Sequence, residues 1–479
     1  MEIQEVNIKL NNYKYRYDVY HVFNIYNHLK KINFSETSGD YEIDVEEDKV
    51  SFKYKDDYEE AYFNEREKPK ETIKKLIFRK LKQITKDEYP WGTLIGIRPS
   101  KIALRLMQEG KSNKEIIDYF YEKHYTSPDK AQICIDVANS EQKYVNKDPK
   151  NISIYIGMAF CPTRCLYCSF ASYSIVGQKN QVDSYLEALD YEIEMIKKYI
   201  DEKGLNIETV YFGGGTPTSV NEDKFEKIMN KIYNSFVVNR NIKEFTVECG
   251  RPDSITYNKL TTMKKYNVSR ISINPQTMND KTLKLIGRNH TSKDVIDTFK
   301  LARQMGFDDI NMDIIIGLPG EGLEEAKKTA EGIINLCPDS VTVHGLALKR
   351  GSIMFDNFIM KKGLGLKDQD EIMKMYQESK RISSELHLKP YYMYRQKNMV
   401  GNMENLGYAS EGKHCLYNIE MIEDKQTIIA IGADAVTKVV FLDENRIERF
   451  GNVKDVKEYI SRVKQLVDGK IKLLNTLYK

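Results

Sequence analysis

The sequence predicts an α/β fold: an open (β/α)6 partial barrel with an N-terminal α+β module and a C-terminal accessory domain. Three observations carry this. Between Ile152 and Leu348, six apolar runs alternate with amphipathic helical stretches, which predicts parallel strands joined by right-handed crossovers. Six such units are too few for a closed eight-stranded barrel. Polar and cysteine residues cluster just after the strand ends, where barrels of this kind place their chemistry. The boundaries read as an α+β module over 1–88, a loop and helical linker over 89–150, the barrel over 151–348, and the accessory, substrate-covering domain over 349–479.

Composition narrows the class. The 73 basic and 70 acidic residues leave a net charge of +3, which gives no support to a general nucleic-acid binder. No run of about 18 apolar residues occurs, so no membrane span is expected. The start, Met1-Glu-Ile-Gln-Glu-Val6, lacks the basic region and apolar core of a secretory signal. Cys134, Cys249, Cys337 and Cys415 are scattered rather than arranged as a disulfide framework. A reducing cytoplasm follows.

In the first module, Val6–Leu10 and the alternating Tyr13–Tyr17 read as a hairpin, with an amphipathic stretch from Tyr20 to Lys31 behind it. Tyr41–Val45 and Val50–Lys55 alternate again around an acidic turn, and a helix from Pro69 to Thr85 follows. Pro90, Gly92, Gly96 and Pro99 forbid a regular helix around Trp91, the only tryptophan in the chain. That loop either offers Arg98 and Lys101 to a substrate carboxylate or serves as a structured linker packing Trp91 onto the next domain. Helices over Asn113–Lys123 and Asp129–Asn146 lead into the barrel.

The barrel strands read as Ile152–Phe160, Thr209–Gly213, Glu244–Glu248, Arg270–Asn274, Asp309–Ile316 and Ser340–Ala347. Helices over Val182–Lys203, Asp223–Tyr233, Ile255–Lys265, Lys293–Met305 and Leu323–Asn335 lie between them. Beyond the barrel, Lys349–Gly365 and a helix over Gln369–Leu386 connect to the last domain, and Val453–Leu466 is a solvated helix.

The chemistry starts where the first strand ends. Cys161-Pro-Thr-Arg-Cys165-Leu-Tyr-Cys168 places three of the seven cysteines within eight positions. A thiolate group this tight can hold a metal centre, yet three ligands are one short of the four that close a [4Fe–4S] cluster with protein alone. An iron without a protein thiolate is open to another ligand. After the second strand comes Gly213-Gly214-Gly215-Thr216-Pro-Thr218, whose glycines predict close backbone approach and free peptide N–H groups. Glu248 ends the third strand, Gln276 and Arg288 follow the fourth, and Asp313 lies inside the apolar fifth. A carboxylate there is costly unless paired or facing a ligand.

The C-x3-C-x2-C spacing resembles that of the radical S-adenosylmethionine (SAM) proteins. The stretch from Tyr155 to Gly320 is similar to the oxygen-independent coproporphyrinogen III oxidase group. A tyrosine six residues before the first cysteine, the Gly-Gly-Gly-Thr-Pro-Thr turn, a glutamate, a Pro-Gln pair, an arginine twelve residues later, and an Asp-Ile-Ile-Ile-Gly-Leu-Pro segment carry the likeness. Tyr391–Tyr408, Ile429–Ala435 and the Trp-Gly loop resemble its HemZ branch. The resemblance implies a barrel of radical SAM type. It also implies a [4Fe–4S] cluster on Cys161, Cys165 and Cys168, with the fourth iron given to SAM. SAM would lie against Tyr155, Gly214, Gly215, Thr216, Glu248, Gln276, Arg288, Asp313 and Ile315.

Further implied are a porphyrinogen or haem substrate and a low-potential electron donor of the flavodoxin or ferredoxin type. Arg395 and Lys397 join Arg98 as candidates for substrate propionates. One departure matters: the fourth cysteine of the oxidase branch, two residues after the third, is Phe170 here, as in the haem-chaperone branch. The histidine that often precedes the motif is Gly157, and His290 lies near the site. Three readings follow: a coproporphyrinogen III dehydrogenase, a haem-binding or haem-trafficking protein, or an RNA-modifying radical SAM enzyme.

Overall fold

The computed structural model describes residues 5–28, 30–65, 67–359 and 365–479. Residues 1–4 of the amino-terminal stretch and 360–364 of the connector after Lys349 lie outside the described residues.

An eleven-stranded sheet organises the chain. Its centre is six strands in sequence order: β1 (Asn151–Met158), β2 (Asn206–Gly214), β3 (Glu244–Val247), β4 (Arg270–Ser272), β5 (Ile310–Ile316) and β6 (Ser340–Gly345), each parallel to the next. Helices Lys179–Lys203, Glu222–Ile232, Tyr257–Lys265, Ser292–Gln304 and Leu323–Leu336 cross between successive strands. Helix Lys179–Lys203 shows why they do. Val182, Tyr185, Leu189, Ile193, Ile196 and Ile200 recur on one face and are buried. Gly204, with φ +60°, stops the helix in the left-handed conformation that glycine tolerates.

The carboxyl-terminal third adds five strands to this same sheet. They are β7 (Lys389–Tyr394), β8 (Asn405–Ala409), β9 (Thr427–Ile431), β10 (Val436–Phe441) and β11 (Arg446–Gly451), and the spatial order is β7-β8-β6-β5-β4-β3-β2-β1-β9-β10-β11. Both edges of the barrel are thereby extended. One apolar core runs from Trp91 to Tyr478, while residues 6–89 have their own.

The amino-terminal module corrects one expectation. Tyr13–Tyr15 is a short 3-10 turn opening helix Arg16–Tyr26, so Val6–Leu10 has no hairpin partner there. Strand Glu5–Leu10 instead pairs in parallel with Lys31–Ser35 and Tyr41–Val45. The alternating tyrosines imitate a strand, but Val19, Val22, Phe23 and Tyr26 continue a helical face that wins by burial. The hairpin Tyr41–Tyr54 and helix Pro69–Thr85 fall as expected.

Trp91 is fully buried, and its indole N–H donates to Glu404 Oε2 at 2.7 Å. Lys130 Nζ holds the other oxygen at 2.6 Å. The Trp-Gly loop is thus a structural fastening between linker and barrel.

Helix Leu416–Glu423 closes the barrel below the amino-terminal ends of its strands. Its first amides donate to Glu244, and Glu420 accepts hydroxyl hydrogen bonds from Ser153 and Thr209. Burial outweighs those bonds and pushes the Glu420 carboxyl up to about 8. A raised carboxyl contributes most while protonated, so its contribution is lost as pH climbs from the unfolded value of 4.5 through about 8. Glu420→Gln should therefore gain stability against the parent chain between those limits, by roughly a few kcal/mol at the upper end. Urea midpoints at pH 5 and pH 8.5 check this. An unchanged difference between the two proteins would contradict it.

Among the described residues no helix is long and apolar enough to cross a membrane.

Candidate cofactor site

The cysteine loop leaves β1 at the carboxyl-terminal end of the barrel. Phe160–Cys161 pairs with Tyr173–Ser174, so the loop is pinched at its base. Cys161 is buried and Cys165 and Cys168 are half-buried. Thr216 Oγ1 donates to Cys161 Sγ at 3.3 Å, and Ser172 Oγ lies 3.4 Å from Cys168 Sγ. The three thiols lie within electrostatic reach of one another. Burial pushes the Cys161 thiol up to about 12, so iron must displace a proton there.

The glycine turn sits beside this loop, but not with its amides free. Gly215 N donates to Met158 O at 2.5 Å, and Thr216 N donates to Phe160 O at 2.8 Å. The glycines serve closeness instead. A Cβ on Gly215 would stand 2.6 Å from Phe160 O, and one on Gly213 would stand 2.6 Å from Glu248 Oε2. Gly214, at φ +99°, is the turn's left-handed residue. The turn is stitched to the end of β1, and Thr216 thereby reaches the first cysteine.

Glu248 stands just past β3, with its N–H donating to Phe212 O at 2.8 Å. Its carboxyl accepts from Tyr211 OH at 3.0 Å. Burial, followed by the nearby Asp313 charge, pushes Glu248 up to about 8. Asp313 behaves oppositely. Burial raises it, but His344, Asn311 and Thr342 together hold it below the usual carboxylate range. Asn311 donates to it at 2.7 Å and His344 Nε2 lies 3.7 Å away. Two half-buried carboxyls, the raised Glu248 and the lowered Asp313, therefore face the same lumen. Ile315 shares the face of Asp313 by strand alternation.

Gln276 adopts φ +64°, a strained backbone for a non-glycine residue, and bridges to Ile314. Its Oε1 is buried without a partner. Arg288 donates to Asn274 O at 2.8 Å and Gly250 O at 2.9 Å, while its Nε is also unpartnered. Tyr155, Tyr211 and Tyr417 stack through the lumen, with Tyr211 and Tyr417 ring centroids 4.4 Å apart. Orphaned polar atoms and a turn that only glycine fits are what a polar cofactor with amine and carboxylate groups would require.

The substrate candidates fare differently. Arg98 pairs with Asp424 at 2.8 Å and donates to Ile422 O, so it caps the barrel-closing helix rather than offering itself to a ligand. Arg395 is buried. It donates to Leu94 O at 2.6 Å and to Asn402 at 2.9 and 3.0 Å, and stacks over Trp91 at 4.8 Å. Arg98 is thereby engaged in structure, whereas Arg395 keeps a buried Nε without a partner and lines a cavity that Lys397 also lines. Lys397 lines a cavity of about 770 Å³ with Tyr17, Tyr20, Ile95 and Ile97.

Some contributors were missed. His344 and Tyr211 lie on strands, where alternation alone does not mark them. Arg251 and Asp253 follow β3 and Glu248, and the strand-end rule would have found them. His290 is buried, with Nδ1 3.6 Å from Asp253 Oδ1. Cys249 faces away, 3.6 Å from Met263 Sδ, as a buried small residue.

A partial barrel whose first strand delivers three cysteines beside a glycine turn defines the radical SAM class of protein. The Radical SAM superfamily model matches residues 155–333. The chain is 40% identical over 415 residues to the oxygen-independent coproporphyrinogen-III oxidase-like protein HemZ of Bacillus subtilis, covering 86% of this chain and 82% of that protein. It therefore belongs to the HemN/HemZ-like group of the radical SAM superfamily. It is also 35% identical over 266 residues to the heme chaperone HemW of Bacillus subtilis, covering 55% of this chain and 68% of that one. The fold is similar to coproporphyrinogen III oxidase (HemN) from Escherichia coli, with TM-score 0.54 and 20% identity over 68% of this chain and 72% of that one. A [4Fe–4S] cluster and SAM are the cofactors of this group, and the donor set described above fits them.

Proposed function

We propose that this chain is an oxygen-independent coproporphyrinogen III dehydrogenase of the cytoplasm. It would convert two propionates to vinyl groups with loss of CO2, giving protoporphyrinogen IX. Cys161, Cys165 and Cys168 would hold the cluster, leaving one iron for SAM. When bound and reduced by a flavodoxin- or ferredoxin-type donor, cluster and SAM supply a 5′-deoxyadenosyl radical that abstracts hydrogen. The residues of this chain do the rest. Glu248 would accept from the amine of SAM, whose positive charge would favour the ionised carboxylate, and Arg288 would offer its unpartnered Nε to the carboxylate of SAM. Gln276 supplies an unsatisfied amide oxygen, and the stacked tyrosines exclude water beneath.

The observation that supports a macrocyclic, anionic substrate is the cavity at Lys397. Its volume lies in the range of ligand sites, its walls mix aromatic and apolar side chains with the cations Lys367, Arg395 and Lys397 and the acids Asp87 and Asp368, and it adjoins the loop after β7. Tyr394, at the end of that strand, lies within electrostatic reach of Asp313 and Glu248. Lys397→Glu should then raise KM for the porphyrinogen about tenfold or more, the size of a lost charge-assisted contact. SAM cleavage without substrate should stay unchanged.

The direct test is anaerobic. The reconstituted protein is mixed with SAM, dithionite and coproporphyrinogen III. Vinyl product together with methionine is expected. Methionine release without vinyl product would sink the oxidase reading. A haem-handling role is favoured by one feature, the exposed Phe170 beside the third cysteine, where the oxidase branch has a fourth. Micromolar haem binding without porphyrinogen turnover would support that reading instead.

A further inference from the structure

Arg251 is a buried cation, 2% exposed, in the loop that follows β3. Such a charge needs a full set of partners, and it has them. Nε donates to Asp253 Oδ1 at 2.9 Å and Nη2 donates to Oδ2 at 2.8 Å, a planar two-bond pair. Nη2 also donates to Thr163 Oγ1 at 3.0 Å, and Nη1 donates to Thr163 O at 3.3 Å. The last contact is to sulfur: Nη1 lies 3.7 Å from Cys165 Sγ, within donating distance. All five N–H donors of the guanidinium are used. Thr163 is itself tied down, because its hydroxyl donates to Gly287 O at 2.7 Å.

From this geometry we infer that Arg251 is a positioning residue that hydrogen-bonds the Cys165 sulfur and sets the reduction potential of the cluster. The inference rests on the proposed ligand role of Cys165. The physical reason is charge. Reduction adds one electron to the cluster, makes and breaks no bond, and makes the centre more negative. A fixed cation with an N–H on a ligand sulfur favours the reduced state and so raises the potential. Asp253 does not cancel this, because its carboxylate lies on the far edge of the guanidinium, paired through Nε and Nη2. Its task is to hold the plane, so that Nη1 is left pointing at the loop. The electrostatic link is two-sided, since the thiols at Cys165 and Cys161 add to the forces favouring the charged arginine.

The test uses the whole chain, reconstituted anaerobically with iron and sulfide, in the parent and in Arg251→Met and Arg251→Lys. Three readouts are taken: iron and sulfide per chain, circular dichroism, and the midpoint potential from a dithionite titration followed by electron paramagnetic resonance. Dithionite supplies the electron. Arg251→Met, which keeps bulk but neither charge nor donors, should shift the midpoint to more negative values. Arg251→Lys, which keeps the charge but loses the fork, should shift it less. An unchanged midpoint in either variant with full iron content would overturn the inference. So would loss of iron from both variants with native circular dichroism, since Arg251 would then only anchor Thr163. If instead none of the three proteins, the parent included, takes up iron, it is the cluster reading itself that fails.

Discussion

Cys168→Ala is expected to give a folded protein with no iron–sulfur absorbance and no methionine release from SAM. The base of the cysteine loop is fixed by β1, by the Phe160–Cys161 pairing with Tyr173–Ser174, and by the glycine turn at Gly215. Cys168 itself is half-buried, with its amide donating to Cys165 O at 3.1 Å. Removing its sulfur leaves these backbone bonds intact, so the fold should survive. The cluster should not, because three thiolates already leave one iron without protein and two would leave two. Iron content and the visible spectrum after reconstitution check the first half, and high-performance liquid chromatography of SAM products checks the second. A variant that retains parental iron and cleavage would place the ligand elsewhere.

The second large effect lies away from the site. Lys470→Ala should destabilise the chain by about 3–5 kcal/mol, the cost of leaving a buried charge without its partner. Lys470 and Glu192 are both wholly buried and paired, and Lys470 also donates to Ala430 O. Glu192 gathers further donors: Tyr459 OH at 2.6 Å, Gly432 N at 2.9 Å and Asn452 Nδ2 at 3.0 Å. Helix Lys179–Lys203, the last helix (Val456–Leu474) and the loop after β9 thus meet on one carboxylate. That loop reaches the cofactor site, because Asp434 Oδ2 accepts from Ala171 N at 3.3 Å, just past the cysteines. A chemical-denaturation midpoint measures the loss, and iron occupancy on reconstitution should fall with it. Lys470→Met, which fills the space, should lose the same charge pairing. A midpoint within experimental error of the parent in Lys470→Ala would show that the pair is not needed.

How much of this was legible in the residues depends on what each signal measures. The six barrel strands and their crossover helices were readable, because apolar period and turn chemistry are local. The cysteines, Glu248, Gln276 and Arg288 stand out by their place after strand ends, and Asp313 as a carboxylate inside an apolar strand. The Tyr13–Tyr17 stretch misled, because alternation over five residues is too short to decide against a helical face that continues to Tyr26. Arg98 and Arg395 are hard to read for another reason. A cation beside an aromatic looks like a ligand site, yet only tertiary structure shows that Asp424 and Ile422 O engage Arg98 and that Leu94 O and Asn402 take two of the three guanidinium nitrogens of Arg395. The glycine turn lies after β2 as its residues predict, but the amides of Gly215 and Thr216 are consumed by Met158 and Phe160 rather than left free. The edges of the sheet were illegible. Nothing local says that β9 returns to lie beside β1, or that Lys470 finds Glu192.

The central claim is that the mouth of the barrel holds SAM against the open iron of a three-cysteine cluster. Electron-nuclear double resonance on the reduced, reconstituted protein with SAM labelled by nitrogen-15 at its amine tests it most directly. The account predicts a hyperfine coupling from that nitrogen to the cluster, weakened or lost in Glu248→Gln and Arg288→Met. A full cluster signal with no nitrogen coupling in the parent protein would contradict it.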